Sequence, residues 1–62
     1  MTYTVHHELK DASLAPAFYR ATSKRAAQRV ARRVASGLGP DSDVQAVVIC
    51  ADEMTVEVLE VE

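Results

Sequence analysis

The amino-acid sequence predicts a small α+β domain: an antiparallel sheet, ordered β-β-α-β-β or β-α-β-β, with one Ala/Arg-rich helix packed on one face. Three patterns carry that expectation. Residues 2–9 alternate at the period of a half-buried strand, residues 23–36 set their apolar side chains at helical spacing, and two apolar runs flank Asp52-Glu53 as a hairpin would. The chain has 62 residues, which makes a single domain, 1–62. A domain of that size buries only about 60% of the surface its unfolded chain exposes, so the expected margin of stability is thin.

In chain order, Tyr3, Val5, His7 and Leu9 alternate with Thr2, Thr4, His6 and Glu8, and Lys10-Asp11-Ala12-Ser13 breaks the strand. Residues 14–21 read as a short second strand, on the strength of Phe18 and Tyr19; a helix begun at Ser13 with Pro16 in its first turns is the alternative. Thr22-Ser23 is the better helix cap. The helix then runs over residues 23–36 and stops at Gly37 and Gly39-Pro40. At about 100° per residue, Ala26, Ala27, Val30, Ala31, Val34 and Leu38 share one arc, and Arg25, Arg29, Arg32 and Arg33 share the opposite one. Val30 and Val34 are expected to be buried. The apolar arc is mostly alanine, so the helix approaches a sheet closely and covers little area.

The last third predicts a hairpin of Val44–Ala51 with residues 54–61. Asp-Glu is not the usual Asn-Gly or Asp-Gly turn, and a four-residue loop is the alternative; with a two-residue loop, Ile49 faces Val56 and Val47 faces Val58 on one apolar side. On the other side Val48 faces Glu57, Ala46 faces Leu59 and Val44 faces Val61, and Cys50 faces Thr55. One helix covers only one side of a small sheet. The expected interface is therefore an uncovered apolar face of Val44, Ala46, Val48, Cys50, Leu59 and Val61, suited to a homodimer, with Glu57 as an opposing charge.

Charge is segregated along the chain. Residues 12–40 hold six basic residues and no acid, residues 41–62 hold seven acids and no base, and the formal net charge is −2. The candidate anion or partner site is the basic helix face, Lys24, Arg25, Arg29, Arg32 and Arg33. Like charges at i,i+4 spacing cost a few tenths of a kcal/mol per pair, so the row is unfavourable to folding unless it meets an anion. The opening Ser23-Lys24-Arg25-Ala26-Ala27-Gln28 resembles the Ser-Lys-Lys-x-Ala-Lys start of the last helix in double-stranded-RNA-binding domains, whose lysines hold phosphates. The likeness spans about a quarter of the chain. Those domains end on that helix, whereas a hairpin follows here, so the resemblance implies a phosphate seat rather than the family.

Other chemistry finds little support. His6 and His7 are adjacent on a strand and point to opposite faces, so no metal site is expected. Cys50 lies in an apolar strand, Asp52-Glu53 reads as a charged turn, and Tyr3, Phe18 and Tyr19 read as core. No catalytic residues and no cofactor are expected. One cysteine, no long apolar run and no signal-like start point to a cytoplasmic protein that does not enter a membrane. The expected function is a small non-enzymatic interaction or regulatory protein that binds a larger protein partner. In size and layout it is similar to many phage-encoded regulators, anti-CRISPR inhibitors among them. Nucleic-acid binding through the basic helix face is the alternative.

Overall fold

Strand-like alternation at the start of the chain becomes β1, Tyr3–Leu9, whose Val5 is fully buried. The computed structural model describes residues 1–39 and 41–61. Tyr19–Ala21 forms β2, Lys24–Gly37 forms α1, Val44–Ala51 forms β3 and Met54–Glu60 forms β4. This is the β-β-α-β-β order, with one antiparallel sheet arranged β2-β1-β3-β4 and α1 packed on one side of it.

The link from β1 to β2 is a closed loop. Ala12 holds a positive φ of 71°, its N–H bonds to the Leu9 carbonyl, and the Leu9 N–H bonds to the Ser13 carbonyl. Asp11 Oδ1 accepts from the Ser13 N–H at 3.0 Å and from the Ser13 hydroxyl at 2.6 Å. These bonds, the hydroxyl first, hold the Asp11 carboxyl below its ordinary value of 3.8. The chain then runs beside β1, with N–H bonds from Ala15 to the His7 carbonyl and from Phe18 to the Val5 carbonyl, until regular pairing begins at Tyr19.

Ser23 caps α1, its hydroxyl accepting the Ala26 N–H at 3.2 Å. The C-terminal end closes without a left-handed glycine: Leu38 is extended and bonds back to the Ala35 carbonyl. The buried helical residues are Ala27 and Ala31, with Ala26, Val34, Ala35 and Leu38 packed around them. Val30 and Val34, both expected inside, are only half-buried: Val34 packs against the core cluster and Val30 lies outside it. The line of closest approach to a sheet is taken by the smallest side chains, and that turns the β-branched Val30 to the flank. Beneath α1, Val5, Val47 and Ile49 are the largest fully buried side chains.

Two further expectations are corrected. The Asp52-Glu53 turn has two residues, as read from the sequence, with positive φ at both (53° and 66°), as a primed hairpin turn requires. It sets Ala51 opposite Met54 and Cys50 opposite Thr55, but Ile49 then pairs with Glu57, Val48 with Val58 and Val47 with Leu59. Val56 is an extra residue, a β-bulge, and everything after it changes sides. A second bulge leaves Gln45 without a partner on β1. The aromatics also differ: Tyr3 packs against the core, while Phe18 and Tyr19 are 41% and 38% exposed. They lie at the open β2 edge, where only Ala21 reaches under the helix.

Candidate functional site

The basic residues reach the surface because the alanine stripe anchors the opposite side of α1. Lys24, Arg25, Arg29, Arg32 and Arg33 are all exposed. Four of them, Lys24, Arg25, Arg29 and Arg32, line a shallow groove of about 640 Å³ along one flank, together with Gln28. Arg33 lies outside it. Lys24, Gln28 and Arg32 stand at successive i,i+4 positions, so this flank is a column in which a neutral amide separates two cations. Among the described residues none of the five cations has an ion-pair partner within 4.0 Å. Guanidinium groups held side by side and unpaired are suited to carboxylate or phosphate, which each accepts two parallel N–H bonds.

Gln28 is the member of the site that the charge pattern does not reveal. Its Nε2 donates to Glu57 Oε1 at 2.7 Å, tying the groove to β4. The bulge makes this bond available. In an unbroken register Glu57 faces Val48 on the side away from the helix; after the bulge it faces Ile49 and finds an amide donor. A matching bond marks the second bulge, where Gln45 Nε2 donates to Glu8 Oε1 at 2.7 Å. The column Lys24, Gln28, Arg32 is the signal by which Gln28 is found in the sequence.

The expected apolar interface does not form one face. Leu59 lies on the helix side and packs against the core, because the bulge moves it there. Ala46, Val48 and Cys50 do line the other side but are only 3%, 2% and 8% exposed. Val61 is half-buried, and so is Val44, which the second bulge sets opposite Leu9 rather than in line with Ala46 and Val48. Each of the other three stands on the central strand between two paired neighbours: Val48 between His6 and Val58, Ala46 between Glu8 and Glu60, Cys50 between Thr4 and Thr55. The exposed large apolar groups include Leu14, Met54, Val56 and Val58, besides Met1, Phe18 and Tyr19.

The two histidines are set apart. His6 lies on the side away from α1, its Nδ1 2.9 Å from the Ala15 carbonyl oxygen, to which it donates, and its Nε2 2.8 Å from Thr4 Oγ1. His7 stacks on Phe18, with ring centroids 4.5 Å apart. Among the described residues no cluster of three or more metal-ligating side chains forms, and no helix is long and apolar enough to cross a membrane. Cys50 is a free thiol at the floor of an open hollow of about 490 Å³ shared with His6, Leu14 and Arg20. Compared with known proteins, the chain matches no family model, no curated protein and no solved structure.

Proposed function

We propose that this chain is a small non-enzymatic interaction protein of regulatory type, which docks on a larger protein by offering the cationic flank of α1 to carboxylates. The observation that carries this reading is the groove of Lys24, Arg25, Arg29 and Arg32, whose cations have no acid on their own helix and no ion-pair partner among the described residues. Mutual repulsion in the row is relieved only when an anion arrives, so the cost in the free protein becomes a gain in the complex. Polypeptide is favoured over nucleic acid because Glu57 is bonded to the groove residue Gln28 and places a carboxylate at the groove's edge. A continuous phosphate backbone meets that charge; a protein surface with discrete acids avoids it. The net charge of −2 points the same way. The lone Cys50 thiol suits a reducing compartment.

Nucleic acid is the second reading, favoured by the capped helix start at Ser23 with Lys24 and Arg25 in the first turn. Two measurements separate them. Affinity capture from the source cells with the wild-type chain and with the Arg25→Glu/Arg29→Glu variant is expected to retain a protein on the former alone. A gel shift with duplex DNA and RNA is expected to show no complex; a shift that weakens steeply with salt overturns the protein reading.

A further inference from the structure

We infer that the open edge of β4 takes up an extended, acidic segment of the partner as an added strand, with the basic flank of α1 as the wall beside it. This rests on the protein-docking reading above and deepens it. Strand order leaves β4 with one side unpaired, and the described backbone bonds of this region, including the Val61 N–H to the Gln45 carbonyl, run toward β3. An unpaired edge is a row of alternating donors and acceptors, which an extended peptide satisfies and a nucleic acid does not.

The wall is as specific as the edge. Beside the basic groove is a second hollow of about 430 Å³, in which Arg32 and Ala35 of α1 and the capping Leu38 face Leu59 and Glu60 of β4. Arg32 belongs to both, so the two hollows adjoin at that residue, the first lined by α1 alone and the second reaching β4. Side chains of an added strand alternate between its two sides. Those on the helix side meet Arg32; those on the far side meet Val58, 49% exposed on the side of Val48, and Glu60, which pairs with Ala46. Alternating acidic and apolar residues fit that division. Glu57 sets the register: its carboxylate is already engaged by Gln28, so the residue directly opposite must be uncharged and the acids sit on either side of it. A second copy of this chain fits less well, because β4–β4 pairing turns two unpaired cationic flanks toward each other.

The test uses the full chain and a capped peptide about as long as β4, alternating glutamate with valine or threonine, with a lysine-for-glutamate peptide as control. Titration is followed by fluorescence anisotropy and by amide exchange. Binding of the glutamate peptide alone is expected, with slower exchange at residues 57–60 and affinity roughly tenfold lower for Arg25→Glu/Arg29→Glu. N-methylating the peptide along its pairing edge leaves its charge intact and removes its donors, and should weaken binding by roughly tenfold or more. If the methylated peptide binds as tightly as the parent, the edge inference is wrong and the cationic-flank reading stands. If neither peptide binds, the edge inference is overturned; a low-salt complex with duplex RNA or DNA then overturns the protein reading as well. A dimer by sedimentation with exchange protection along β4 assigns the edge to a second copy and also sinks the proposal.

Discussion

The two sides of the sheet are built from the same strands and reach nearly the same burial by different means. Under α1, Val5, Val47 and Ile49 are sealed by a second layer, the alanine stripe of the helix. On the reverse, Ala46, Val48 and Cys50 have no helix over them and lie on the central strand between the side chains of β1 and β4, His6 and Val58 beside Val48 above all. A central strand of small residues is thus kept from water by its lateral neighbours. Counting apolar residues on a face therefore overstates how much of it is bare.

The difference can be broken or sharpened by experiment, beginning with one residue type on both sides. Val47→Ala removes methyl groups from the layered core and should cost about 2 kcal/mol in urea unfolding, whereas Val48→Ala should cost about 1 kcal/mol, since neighbouring side chains can lean into the gap. Equal losses would make the two sides energetically equivalent. The next largest effect concerns the turn that starts both sides in register. Asp52 and Glu53 occupy left-handed backbone, unfavourable for a residue with a Cβ. Asp52→Asn with Glu53→Gly should raise stability by about 1 kcal/mol; no gain in the thermal midpoint would show that the turn is unstrained.

At the rim of the helix side, Gln28→Ala deprives Glu57 of its amide donor. A loss of up to about 1 kcal/mol is expected, and Glu57→Gln in the same background should recover little of it if the carboxylate turns to solvent. A double-mutant cycle measures the coupling. Smallest is the effect of Asp11, in the loop that carries Leu14 and Ala15 toward His6. Its folded pKa is depressed, so its contribution to stability is fully present above the ordinary value of 3.8 and disappears as pH falls through the lower folded value. Asp11→Asn should flatten only that acidic part of the stability profile, and carboxyl titration by NMR should find Asp11 below 3.8.

Elements with a strong local period were legible in the sequence: β1, α1 with its Ser23 cap, and the β3–β4 hairpin with its two-residue turn. The cationic face was legible as well, because like charges at helical spacing need no tertiary information. What escaped reading was settled at a distance. Val56 and Val58 alternate as well as Thr55 and Glu57 do, and one amide donor 29 positions away, Gln28, goes with the register in which Glu57 turns toward the helix. Phe18 and Tyr19 look like core residues to any local rule, and only the position of β2 at the sheet edge exposes them.

The bulge at Val56 has a consequence for how this strand can change length. Without that residue, Thr55 is followed directly by Glu57, and the pairs Cys50–Thr55 and Ile49–Glu57 become consecutive steps of a regular ladder. Every later side chain keeps the side it occupies now. One codon can therefore be lost or gained at this point without exchanging inner and outer residues, whereas a deletion anywhere from Glu57 to Leu59 inverts the rest of the strand unless the bulge dissolves to absorb it. The edge proposed to meet a partner thus carries its own allowance for insertion and deletion, and its twist can drift between relatives while Gln28 continues to find Glu57.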